Sequence, residues 1–125
     1  MMSNTATNIN DYETITNVIA LYLDGARAGN GAEMKSSFHE DATIFGYVGE
    51  ELFAGPIEKL FAWTDDNGAA AGIRPHISSI DLVGTVATVR VEIENWYDHR
   101  FTDLFTLLKV NGEWKIMNKV FHLHM

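Results

Sequence analysis

The chain has 125 residues, 46% hydrophobic and 21% charged, and its 17 acidic against 9 basic residues give a formal net charge of −8. That length supports one sizeable core and the composition is that of a folded globular protein. The negative field repels phosphate backbones and anionic lipid, so neither nucleic acid nor a membrane is an expected partner, and a chain without cysteine holds no disulfide and no zinc–thiolate centre.

Residues 1–10 are polar, with no basic stretch leading into an apolar one. They are expected to form a flexible arm without a secretory signal, ahead of a single domain over 11–125, and the expected compartment is the cytoplasm. Asn10 suits a helix N-cap, with Glu13 in the capping-box position. Tyr12, Ile15, Val18, Ile19, Tyr22, Leu23 and Ala26 then recur at helical spacing, and Gly29-Asn30-Gly31 ends that helix. A short helix over 32–38 and a turn at His39-Glu40-Asp41 follow. Residues 42–48 read as a strand with Gly46 inside it, where a bend or a close backbone approach is expected, and Leu52-Phe53 as a brief edge strand. Gly55-Pro56 opens another helix, with Ile57, Leu60, Phe61 and Thr64 facing inward and Trp63 on its flank. The stretch 65–72 reads as a flexible connection and a candidate pocket rim.

From there the period becomes two. Strands are expected over 76–83, 86–97, 101–110 and 114–124, with a type I′ hairpin at Asn111-Gly112. The last two carry bulk on both faces: Phe101, Phe105 and Leu107 against Leu104, Leu108 and Val110, then Trp114, Ile116 and Val120 against Met117, Phe121 and Leu123. Two apolar faces need two covers, the chain's own helices and a partner subunit, so a homodimer through the sheet face is expected.

Three stretches carry a resemblance: Tyr22-Leu23-Asp24-Gly25 with Gly29-Asn30; Phe38-His39-Glu40-Asp41-Ala42-Thr43; and Phe101-Thr102-Asp103 running to Asn111-Gly112-Glu113-Trp114-Lys115-Ile116. In these the chain resembles the nuclear transport factor 2-like superfamily, which includes ketosteroid isomerase, scytalone dehydratase and the SnoaL-like polyketide cyclases. The similarity spans about residues 12–123. Through Trp114-Lys115-Ile116-Met117-Asn118-Lys119-Val120-Phe121 it is nearest the putative lumazine-binding branch. The resemblance implies an α+β, cystatin-like cone: a curved antiparallel sheet wrapped around N-terminal helices and enclosing a pocket. It implies no activity by itself, because this scaffold hosts enzymes and non-enzymes alike.

Ketosteroid isomerase needs an oxyanion tyrosine, a protonated acid beside it and a carboxylate base. Their matched positions here are Tyr22, Thr106 and Gly46, so steroid isomerisation is not expected. The same match places Lys119 inward and Asp103 outward, an assignment that one bulge would swap. Asp103 and Lys119 each interrupt an apolar strand, where a bare charge is costly. They either pair with each other or enter the cavity. The candidate acid–base set is therefore Tyr22, His76, Asp103 and Lys119. The expected ligand-binding lining is Tyr22, Phe45, Trp63, Val91, Asn95, Tyr97, Thr106 and Phe121, with Asn95 and Tyr97 continuing the inward parity of Val91 and Ile93. His122 and His124 lack a third ligand at fixed spacing, so no metal is expected. No nucleotide-binding or nucleophile-elbow motif implies a cofactor. The function expected first is a binding protein for a small, largely apolar cyclic compound. The alternative is a cofactor-free isomerase, dehydratase or cyclase, and a weaker one is an adaptor for another protein.

Overall fold

A computed structural model describes residues 5–125, with side chains from residue 9 onward. Helices α1 (Thr5–Ala28) and α2 (Gly31–Lys35) precede strands β1 (Phe38–Val48) and β2 (Glu51–Pro56). Helix α3 (Glu58–Asn67) leads into β3 (Arg74–Val83), β4 (Val86–Trp96), β5 (His99–Val110) and β6 (Glu113–His124). The strands form one sheet in the order β2-β1-β6-β5-β4-β3. Neighbours are antiparallel except β1 and β6, which run parallel. This is the expected α+β arrangement, with the helices on the inner face of a curved sheet.

The α1 stripe is buried as its spacing requires: Ile15, Ile19, Tyr22 and Ala26 are all at 0% exposure. Two details of its start differ from expectation. The helix begins by Thr5, so Asn10 lies inside it and its carbonyl accepts from Thr14 Oγ1 at 2.9 Å. Residues 1–4 of the expected arm lie outside the described residues. Tyr12 is exposed, and Asp11 is the buried residue of that turn. Its Oδ1 accepts from Trp114 Nε1 and Lys109 Nζ, each at 3.0 Å, tying α1 to the β5–β6 hairpin. The Trp114 bond is the main reason the Asp11 carboxyl titrates below its ordinary value.

Asn30 caps α2 rather than merely ending α1, its Oδ1 accepting from Glu33 N at 3.1 Å. The short helix stops at Lys35, and Phe38 already belongs to β1. His39-Glu40-Asp41, expected as a turn, is the irregular opening of that strand, where the pairing with β6 shifts register between Phe38 and Thr43. Pro56 closes edge strand β2 instead of opening α3, a position where its missing N–H leaves no inner ladder bond unmade. Ile57, Leu60, Phe61 and Thr64 of the α3 region are buried as expected. The helix runs on to Asn67, three residues into the expected connection.

The meander forms as read. Asn111 and Gly112 take φ of 52° and 81°, the two left-handed positions of a type I′ turn. One irregularity matters for everything below. Thr106 pairs with Asn118 and Leu107 with Ile116, which leaves Met117 as an extra residue in β6. Trp114 and Ile116 face the core before this bulge; Lys119 and Leu123 do so after it. Val120, grouped in the sequence with Trp114 and Ile116, therefore faces out.

Candidate functional site

Three polar side chains converge where α1 crosses β5 and β6. Tyr22 comes from the buried stripe of α1. Asp103 alternates inward with Phe105 and Leu107 on β5, and the β6 bulge turns Lys119 to the same side. Their exposures are 0%, 0% and 3%. Lys119 Nζ donates to Tyr22 Oη at 2.7 Å, and Tyr22 Oη donates to Asp103 Oδ2 at 3.0 Å. Nζ lies 3.7 Å from Oδ2, close enough for an ion pair but not for a hydrogen bond. Asp103 Oδ1 is buried without a partner among the described residues. The Lys119 amine sits 5.0, 5.1 and 5.4 Å from the ring centroids of Tyr22, Trp96 and Phe121.

Burial dominates the titration of all three groups. It lowers the Lys119 amine below the usual lysine value against the pull of Asp103. It raises the Asp103 carboxyl against the pull of Lys119 and the bond from Tyr22. It pushes Tyr22 well up, and the Asp103 charge adds to that. The shifts of acid and amine run towards each other, and the Tyr22 hydroxyl links the two groups.

The amine also reaches a cavity of about 40 Å³, lined by Ile44, Val48, Phe53, Leu60, Trp63, Trp96, Phe101, Lys119 and Phe121. Lys119 is the one charged group in that wall. The space as it stands accommodates a few waters, with Trp63 and Phe53 among its aromatic lining. Both are only partly buried and lie at its edge.

The structure brings Tyr22, Asp103 and Lys119 together and leaves the fourth acid–base candidate out. His76 is exposed on the outer face of β3, paired in register with Glu92, because its parity is opposite to that of Ile77. Asp103, outward by the ketosteroid isomerase match, is inward. Trp63 and Phe121 line the cavity. Val91 is a core residue opposite Asp103, outside the lining. Phe45 is 41% exposed on the outer face beside Val120, and Thr106 is also on that face. Asn95 and Tyr97 do not continue the β4 parity. Both adopt positive φ, 61° and 51°, as the register with β5 shifts after Ile93. Asn95 Nδ2 then donates to Gly72 O at 3.0 Å and Tyr97 Oη to Gly68 O, which fastens the β4–β5 corner to the end of α3. That corner turns Trp96 inward instead, 2% exposed and on the cavity wall. Its Nε1 is buried without a hydrogen-bond partner among the described residues. The sequence did hold a signal for this break, since Asn95 and Asp98 are residue types that tolerate left-handed backbone.

An α+β cone with a polar group set into an apolar cavity defines the class: a nuclear transport factor 2-like protein. The sequence model described as putative lumazine-binding matches residues 10–122, and the chain belongs to that family. It is similar to an NTF2-like protein of unknown function from Methylobacillus flagellatus KT, at 52% identity over 94% of each chain with a TM-score of 0.92. A second NTF2-like protein of unknown function, from Shewanella baltica OS155, is 35% identical over 94% of this chain and 96% of its own, with a TM-score of 0.88. Among curated proteins, Aldolase FrzH of a Cladobotryum species is 31% identical over 113 residues, 90% of each sequence.

Proposed function

We propose that the protein is a cofactor-free enzyme that activates the carbonyl group of a small, largely apolar cyclic compound by proton transfer, in an aldol-type reaction. The observation that carries this reading is the buried Lys119–Tyr22–Asp103 chain ending at the cavity wall. Two convergent titratable groups joined by a hydroxyl, with their pKa values drawn together, are what acid–base chemistry at neutral pH requires. A container for an apolar ring needs none of them, and burying them costs stability. Lys119 polarises the carbonyl oxygen, Tyr22 passes the proton, and Asp103, whose Oδ1 has no donor, is the acceptor. The 31% identity to a protein named an aldolase supports the same chemistry.

Cleavage of an aryl β-hydroxyketone, followed by the absorbance of the released aryl aldehyde, tests the proposal. The wild type should release aldehyde above buffer, and Tyr22→Phe should do so about 100-fold more slowly. Protein that binds such ketones yet releases no aldehyde from any of them would overturn it.

A second reading, binding of a flat heteroaromatic such as lumazine, is favoured by the aromatic lining of Phe53, Trp63 and Phe121 and by the family's description. Lumazine should then raise the melting temperature, and no shift at millimolar ligand removes this reading. Under either reading the working unit is a cytoplasmic homodimer formed through the outer face of the sheet. Phe45, Val120 and Leu104 stand side by side there on three adjacent strands, 41%, 43% and 53% exposed.

A further inference from the structure

Three features outside the proposed proton relay are already accounted for. The His122 and His124 rings meet edge to face at 4.7 Å, and His124 Nε2 is already engaged by the Thr102 hydroxyl, which donates to Glu92. The shallow depression over Arg74, His76, Glu92, Glu94 and Arg100 pairs its own charges. The outer apolar row belongs to the dimer already proposed. The Lys119 amine itself carries more than the relay uses.

We infer that Lys119 Nζ is a nucleophile that forms a covalent imine with a ketone or aldehyde carbonyl held in the cavity beside Trp96 and Phe121. This rests on the reading of the cavity as a carbonyl site and deepens it. Four observations support it. The amine is the one charged group on a wall otherwise made of apolar and aromatic side chains. It is held by a single hydrogen bond, to Tyr22, with Asp103 beyond hydrogen-bond range. Burial lowers the amine below the usual lysine value, towards the neutral, nucleophilic form, against the pull of Asp103. Three aromatic rings lie 5.0 to 5.4 Å from it, the setting that stabilises a delocalised nitrogen cation such as an iminium.

The step balances without any redox partner. The Nζ lone pair attacks the carbonyl carbon, forming the C–N bond while the C=O π pair moves to oxygen. That oxygen takes a proton through Tyr22, and the amine gives one up to Asp103. Loss of water leaves the imine, and protonation makes it an iminium. Asp103, having returned its proton in forming that iminium, takes an α C–H proton by way of Tyr22; the enamine carbon bonds to a second carbonyl, supplied by another molecule or by a distant part of the same one, and that carbonyl's oxygen takes the proton back. Water hydrolyses the new iminium and returns the free amine.

Reductive trapping tests this on the intact protein. Cyclohexanone and sodium borohydride are added, the mass of the chain is read, and peptide mapping separates Lys119 from Lys35, Lys59, Lys109 and Lys115. The expected result is one cyclohexyl group per chain, on Lys119, formed about 100-fold more slowly in Tyr22→Phe. The wild-type map decides the matter even if Lys119→Met fails to fold. The thermal shift caused by cyclohexanone alone is measured alongside. A thermal shift without adduct on Lys119, or adducts spread evenly over all five lysines, overturns the imine and leaves the carbonyl site standing. Neither shift nor adduct overturns both.

Discussion

Lys119 and Asp103 are ionisable groups at 3% and 0% exposure, where the solvation of a charge is lost and only one short bond chain offsets it. Removing one partner leaves the other buried and unpaired. Lys119→Met should destabilise the protein by about 3–5 kcal/mol at pH 7, whereas Lys119→Met with Asp103→Leu should be near neutral or more stable. A pH series checks the sign. Asp103 already titrates above its unfolded value of 3.8, and losing Lys119 raises it further. The folded state of Lys119→Met then holds a proton that the unfolded chain releases. Its penalty therefore grows as pH rises from about 3.8 and disappears below it, which urea melts at pH 3 and pH 7 would register. Tyr22→Phe breaks two bonds to groups that carry or share charge, so about 2–3 kcal/mol of stability should go with the activity. The exposed His76→Gln variant should change neither. At this scale the sequence was informative. An aspartate and a lysine inside apolar strands, and a tyrosine on a buried helical stripe, stood out by chemical type alone. Simple alternation also set Asp103 on the side of Phe105 and Leu107, and the ketosteroid isomerase match that put it outside was the weaker guide.

Elements decide whether those residues meet. The extra residue Met117 is what lets Ile116 and Lys119, three positions apart, share the inner face. Nothing in Lys115-Ile116-Met117-Asn118-Lys119 announces a bulge, because its cause is pairing with β1 and β5, which no local pattern encodes. The corner at Asn95-Trp96-Tyr97-Asp98 escaped for a related reason: period two holds only until the ladder shifts. Gly46 offers a test at this scale. A Cβ there would lie 2.5 Å from Phe121 ring carbons, so the missing side chain is what seats that ring at the cavity. Gly46→Ala should cost about 1–3 kcal/mol through overpacking. It should also abolish any ligand-induced rise in melting temperature, while adding Phe121→Leu should restore part of both. Unchanged ligand binding in Gly46→Ala would place the ligand elsewhere.

For the whole molecule, helices followed by a long meander were legible from periodicity, and the resemblance supplied the closed cone. The dimer is the remaining inference. The row Phe45–Val120–Leu104 lies on the opposite face of the sheet from the reactive chain, so disrupting it should leave the site intact. Val120→Lys should convert a species of about twice 14.0 kDa by light scattering into one of 14.0 kDa, without altering activity per chain at first. A wild type that is already 14.0 kDa would remove the dimer. The central claim, that the buried Lys119–Tyr22–Asp103 chain activates a carbonyl compound, is tested most directly by deuterium exchange. Cyclohexanone in D2O is followed by proton NMR with wild type, Tyr22→Phe, Lys119→Met and His76→Gln. Loss of the α-proton signal should be accelerated by wild type and by His76→Gln, and should fall to the buffer rate with the other two. Exchange at the buffer rate with folded wild type, or equal acceleration by all four, would contradict it.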